Sequence, residues 1–247
     1  IIVPIIFLFI CVSALAQESV PVDGNKKIVI LGSSVASGWV TSYREKYDME
    51  NGYAYRLARQ IEPSGWVVEN ISIPGFDTKS TIERFNDDVL PLKPAYVLIG
   101  LSMSNEGLET MDPDTVYKSY REGILRLIDL CRNNGIVPVV GLCYSNDNYT
   151  DEQYRYLKRM NRYLATLEVP SINFLGVLDD GHGHFPEGYT FDPNHPDDRG
   201  HEEMFYAIVP GMFDAMEAGK QQKGFSFNEN DGMLELGNKA RHQTLIY

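Results

Sequence analysis

Short apolar runs and segments of helical periodicity alternate five times between Lys27 and Gly219, and few folds accept that order. The apolar runs cover 27–31, 66–72, 95–102, 136–142 and 171–176. The intervening segments 52–62, 78–90, 151–167 and 199–219 repeat their apolar positions as one face of a helix does. A further helical segment, between the second and third of these, is delimited by Asp112-Pro113, an N-cap with proline in the first turn, and by Gly135 at its end. Pro91 stops the second helix and Pro210 interrupts the last. The run AYVLIGLS is continuously apolar, as a strand buried on both faces must be. Five strand–helix alternations predict an α/β chain with a parallel sheet covered on both faces and right-handed crossovers. In such sheets ligands bind beyond the carboxyl ends of the strands, so functional side chains are expected just after each apolar run.

The ends of the chain read differently. Residues 1–16, IIVPIIFLFICVSALA, form an apolar run closing in Ala14-Leu15-Ala16, the pattern of a secretory leader cleaved after Ala16. A membrane anchor is the alternative, but the run is short of the ~20 residues a spanning helix needs. No Met and no basic stretch precedes it, so the natural chain is expected to start a few residues earlier. The expected division is a leader at 1–16, a catalytic-type domain at 17–220, and a β-rich stretch at 221–247. That last stretch has period-two alternation and an Asn-Asp-Gly turn, and reads equally as the opening of a second module or as a simple extension. The net charge of −12 argues against nucleic acid or an anionic membrane surface as partner. Once the leader is gone, Cys131 and Cys143 remain, able to pair as a disulfide or to stay as two buried thiols.

Three strand ends carry polar residues that a buried sheet does not require. After the first run comes Gly32-Ser33-Ser34, where a serine would need a histidine to take its proton and a third group to orient that histidine. Asp192 lies three residues before His195, a spacing that lets the carboxylate accept from one imidazole nitrogen and leaves the other free as a base. Pro193 and Pro196 stiffen that stretch, and Gly200 begins the last helix. Gly75, after the second run, allows a backbone N–H to approach a substrate closely. Asn105, after the third, can aim a side-chain amide at a developing oxyanion. His182 and His184 suggest a metal, but no third ligand is placed by spacing, so a loop near the substrate or in solvent is the preferred reading. His201 is expected to pack or cap, and Tyr154, Tyr156 and Tyr163 to be packing aromatics of one helix. Asn70 and Asn148 match glycosylation acceptor triplets, meaningful only in a eukaryotic source.

Taken together, Ser34, Gly75, Asn105 and His195, in that order and each behind its own part of the sheet, resemble the SGNH (GDSL-type) hydrolase superfamily over residues 27 to about 218. The resemblance implies a flavodoxin-like three-layer α/β/α sandwich with a five-stranded parallel sheet. It implies Ser34 as nucleophile, His195 as base and Asp192 as the orienting acid, with the Ser34 and Gly75 amides and the Asn105 side chain forming an oxyanion hole. No cofactor and no metal are implied. Two positions depart from the family pattern: Ser33 stands where Asp is usual, and Met103-Ser104 precede Asn105 without the expected glycine. Neither change removes a group that attacks a carbonyl or moves a proton. The implied activity is that of a secreted or periplasmic serine esterase taking a small-molecule or polysaccharide ester, with removal of acetyl or other short acyl groups from carbohydrates favoured. A lipase or lysophospholipase, and a carbohydrate-binding member without turnover, are the competing readings.

Overall fold

The computed structural model of the chain describes residues 25–39 and 49–220. The expected leader at 1–16 and the β-rich stretch at 221–247 lie outside the described residues.

Five parallel strands, β1 (Lys27–Gly32), β2 (Val67–Asn70), β3 (Tyr96–Gly100), β4 (Val137–Gly141) and β5 (Ser171–Ile172), form one sheet in the order β2-β1-β3-β4-β5. Helices α1 (Ser34–Ser37), α2 (Tyr53–Ile61), α3 (Thr78–Asp88), α4 (Pro113–Asn133), α5 (Asp151–Thr166), α6 (Asp198–Ala207) and α7 (Met212–Glu217) cover it. Successive side chains of a strand point to opposite faces, and the sheet divides its core accordingly. Val29, Leu31, Val97, Ile99 and Val140 pack with Phe85 of α3, Ile124 and Leu127 of α4, and Leu157 and Met160 of α5. Ile28, Ile30, Tyr96, Leu98 and Val139 pack with Leu57 of α2, Met204 of α6 and Phe213 of α7. This is the three-layer sandwich expected of the alternating pattern.

Local chemistry sets the helix starts. Asp77 accepts from the Ser80 amide at 2.8 Å before α3, Asp112 from the Thr115 amide at 2.9 Å before α4, and Thr150 and Gln153 form a reciprocal capping box before α5. Two expectations need correction. The fifth strand is only Ser171–Ile172, because the Asn173 side chain accepts from the Gly176 amide at 3.0 Å and turns the chain at the sheet edge. The stretch around Asp192 and His195, expected as an irregular stiffened loop, is a small antiparallel pair, β6 (Thr190–Asp192) and β7 (His195–Pro196). The last helix breaks at Pro210 as expected, giving α6 and α7.

The central pair β1–β3 ends in register at Gly32 and Gly100. A Cβ on Gly32 would come within 2.5 Å of both the Ala36 Cβ and the Gly100 carbonyl oxygen. Glycine there lets α1 sit directly on the strand end, and that holds the residue after Ser33 at the edge of the sheet. Among the described residues no helix is long and apolar enough to cross a membrane.

Candidate active site

β1 delivers Ser33 in extended conformation (φ −113°, ψ −149°), and α1 begins with Ser34. The short helix is closed by Gly38 in the left-handed region (φ 78°), and the Ser34 carbonyl accepts from the Ser37 hydroxyl at 2.7 Å and the Trp39 amide at 3.0 Å. Ser33 is buried and Ser34 half-buried, so only the second serine can meet a ligand.

His195 reaches this turn from the other end of the chain. Asp192 and His195 are cross-strand partners in the β6–β7 pair, joined through Pro193 and Asn194. Side chains directly opposite in an antiparallel pair lie close enough to touch. His195 Nδ1 is 2.8 and 3.0 Å from the two Asp192 carboxylate oxygens, and Nε2 is 3.0 Å from Ser34 Oγ. With Nδ1–H donating to the carboxylate, Nε2 carries the lone pair that accepts from the Ser34 hydroxyl. The His195 side chain keeps 17% of its exposure and that of Asp192 35%, so both remain partly open to solvent.

The two oxyanion candidates come to the same end of the sheet. The Ile73 amide donates to the Gly32 carbonyl at 3.1 Å, tying the chain after β2 to the end of β1. Gly75 follows in a turn closed by Phe76 N–H to Ile73 C=O at 3.2 Å, with Pro74 before it and φ +80° at Gly75 itself. Proline then a positive-φ glycine is the chemistry of a type II turn. Open space surrounds the Gly75 Cα. Asn105 Nδ2 donates to Ser33 Oγ at 2.9 Å, which places the amide beside the residue preceding Ser34. Ser33 thus serves as the acceptor for that amide, a role its replacement of the usual Asp had hidden. The next residue, Glu106, accepts from both the hydroxyl and the amide of Thr78 at the start of α3, and burial pushes its carboxyl above the ordinary value.

The remaining sequence candidates fall elsewhere. His184 Nε2 is 3.3 Å from the Tyr149 carbonyl and Nδ1 3.8 Å from Asp180, while the His182 amide donates to Asp180 at 2.7 Å. Among the described residues no set of His, Cys, Asp and Glu is arranged to hold a metal ion. His201 is fully buried, stacks on Tyr53 and accepts from the Tyr53 amide at 3.4 Å, so it both packs and caps α2; burial lowers its pKa to about 4. Tyr154 is buried, and Tyr156 and Tyr163 pack on the core beneath Arg159 and Arg121 respectively. Cys131 and Cys143 are buried free thiols, and burial pushes them up to about 12 and about 11. Asn70 donates to the Ala36 carbonyl at 2.8 Å, so its side chain is committed to α1.

A polar cluster beside the relay was not read from the sequence. Asn146 Nδ2 lies 2.9 Å from Glu109 Oε1 and 3.0 Å from both Ser104 Oγ and Asn194 Oδ1. Asn148 Nδ2 reaches Glu109 Oε2 at 3.1 Å and Asn194 Oδ1 at 2.9 Å. The expectation that function follows strand ends would have pointed here, since Ser145-Asn146-Asp147-Asn148 comes soon after β4.

A family profile of GDSL-like lipase/acylhydrolase proteins matches residues 30–203, which span Ser34, Gly75, Asn105 and His195. The chain belongs to this family. The relatives of the GDSL fold include a GDSL-like lipase from Bacteroides thetaiotaomicron, 18% identical, with a TM-score of 0.58 over 81% of this chain and 92% of that one. The esterase EstA from Pseudoalteromonas sp., solved inhibited by monoethylphosphonate, is 18% identical with a TM-score of 0.56 over 78% of this chain and 98% of that one. At those identities the likeness is one of fold. In sequence, 140 residues are 27% identical to the uncharacterized lipoprotein YqeF of Bacillus subtilis, over 56% of this chain and 55% of YqeF, so the match spans about half the length of that protein.

Proposed function

We propose that the protein is a serine ester hydrolase in which Ser34 attacks the ester carbonyl. The observation that carries this reading is the unbroken relay from Ser34 Oγ through the His195 ring to the Asp192 carboxylate, with contacts of 3.0 and 2.8 Å. His195 Nε2 takes the serine proton as the tetrahedral intermediate forms and returns it to the leaving alcohol. Asp192 holds the ring tautomer and balances the imidazolium that results. The oxyanion is received by the Ser34 and Gly75 amides and by the Asn105 side chain, whose second hydrogen remains after the first is given to Ser33. A water activated by the same imidazole then releases the acyl group as the acid. Intact acid–base geometry speaks against a member of the fold that binds without turnover.

For the substrate we propose short acyl esters, acetyl above all, on carbohydrates, acted on outside the cytoplasm. Support comes from the exposed Asn148 and Asn194 and the half-buried carboxylate of Glu109 beside the base, which suit a hydroxyl-rich alcohol. The leader-like 1–16 run and the likeness to a lipoprotein support an exported location. A longer acyl chain is the second reading, favoured by Trp39 and Phe191, which are 36% and 44% exposed and follow α1 and precede Asp192 respectively. The test is hydrolysis of p-nitrophenyl acetate by the wild-type protein and Ser34→Ala, followed by a series of longer esters and acetylated oligosaccharides. Ser34→Ala is expected to lose about 10⁴-fold or more in kcat. Equal rates for the two proteins would end the enzyme reading, and a preference for long chains would end the carbohydrate one.

A further inference from the structure

Asn146 is the polar side chain on which three separate loops converge. It is 1% exposed, and its amide sits within 3.0 Å of Ser104 Oγ and Glu109 Oε1, on either side of the oxyanion loop that carries Asn105, and of Asn194 Oδ1, inside the Asp192–His195 turn. Two hydrogens serve these three acceptors, so the amide bridges the oxyanion loop and the base loop rather than belonging to either. The backbone repeats the link: the Asp147 amide donates to the Pro193 carbonyl at 2.8 Å, and the Asn146 amide to the Gly183 carbonyl at 3.1 Å. Asn146 Oδ1 in turn accepts from the Asn148 amide at 2.8 Å, fixing which end of the side chain faces the acceptors. Glu109 supplies the charge, accepting with one oxygen from Asn146 and with the other from Asn148.

We propose that Asn146 is a positioning residue for the ester-hydrolase site, setting the distance between the base loop and the oxyanion loop. This rests on the reading of Ser34, His195 and Asn105 given above. Asn146 touches none of those side chains. It acts through Asn194, whose backbone amide also donates to Asp192 Oδ1 at 2.8 Å, and through Ser104 beside Asn105. A buried amide with acceptors on two loops holds them more tightly than separate contacts with water could, because the Asn146 donor, shut away from solvent, would lose an acceptor if either loop moved. The stakes are set by geometry: a shift of about 1 Å in a reacting group costs on the order of 100-fold in rate.

The experiment compares Asn146→Ala, Asn194→Ala, their double variant, and Asn161→Ala. Asn161 is a fully buried asparagine that brackets the backbone of Cys143 at 2.8 and 2.7 Å and contacts neither loop, so its variant carries the stability cost without the positional one. Asn146→Ala is expected to lose about 100-fold in kcat with KM changed by less than about twofold, and Asn161→Ala to keep kcat at temperatures where it is folded. Asn194→Ala removes the acceptor on the base loop alone and is expected to lose part of that factor, and the double variant to lose no more than Asn146→Ala alone because Asn194 acts through Asn146. The low-field proton resonance of the His195 Nδ1–H is read in parallel and is expected to weaken or vanish in Asn146→Ala. Wild-type kcat and an unchanged resonance in that variant, or an equal kcat loss in Asn161→Ala, would overturn the proposal. Should the wild type show no Ser34-dependent turnover, the esterase reading falls, and the imidazole resonance alone decides whether Asn146 positions the base.

Discussion

Ser33 offers the sharpest test of how the nucleophile turn works, because its side chain enters the site by accepting one hydrogen bond from Asn105. Ser33→Ala removes that acceptor without touching Ser34, His195 or the backbone. The bond is 2.9 Å long and Ser33 is 1% exposed, so the Asn105 amide cannot replace it with bulk water. A donor left unpaired in such a place costs about 1–3 kcal/mol, and loss of a whole oxyanion donor costs about 3–4 kcal/mol. Asn105 stays in the variant but is no longer aimed, so the loss must fall below that of the whole donor. A penalty of about 1–2 kcal/mol corresponds to about a 5- to 30-fold fall in kcat at 25 °C. KM is expected to hold, since the amide acts on charge that develops only in the transition state. Steady-state hydrolysis of p-nitrophenyl acetate measures both. A kcat within about twofold of wild type would refute the claim that Ser33 aims Asn105. A variant as inert as Ser34→Ala would show that the wrong serine has been taken as nucleophile.

Asp192→Asn keeps the shape of the β6–β7 pair but favours the wrong imidazole tautomer, and kcat is expected to drop by about 10⁴ with no change in fold by circular dichroism. His201 is neutral and buried, with a pKa of about 4 against 6.5 when unfolded, so the unfolded chain binds the extra proton between those values. Its contribution is complete above pH 6.5 and is lost as pH falls toward 4, by about 2 kcal/mol at pH 5; urea unfolding at pH 7 and pH 5 should show a smaller loss in His201→Gln than in wild type. Cys131 and Cys143, with thiols pushed up to about 12 and about 11, are expected to resist iodoacetamide at pH 8 in the native protein and to react together on unfolding. Rapid alkylation of either in the folded state would contradict their burial.

The sheet was legible because its signal is local and repeated. Each strand is an apolar run, and Asp112-Pro113 and Gly135 mark the ends of α4 within a residue or two. The grouping of Ser34 with Asp192 and His195 came from the resemblance to the SGNH order, since each segment taken alone reads equally well as an ordinary turn or loop. The structural details that escaped depend on tertiary neighbours. Phe174 and Leu175 extend the apolar pattern of β5, and only the Asn173 side chain turning onto Gly176 ends the strand. Pro193 and Pro196 argued against a strand pairing, yet proline is tolerated at the edge of so short a ladder, where the Pro193 carbonyl is taken by Asp147. Asn146 was invisible because an asparagine in a turn is ordinary, and its partners at 104, 109 and 194 are dispersed along the chain.

The β6–β7 pair changes what closing this site demands of the chain. Imidazole and carboxylate meet across two intervening residues, inside a ladder of seven consecutive positions. A contact 161 residues in span seats that limb against α1, and the Asp147 amide on the Pro193 carbonyl holds its turn. Turnover at Ser34 would therefore report the seating of the C-terminal limb on the sheet. A cut anywhere between β5 and Thr190 would leave two fragments whose reunion could be followed by the return of activity.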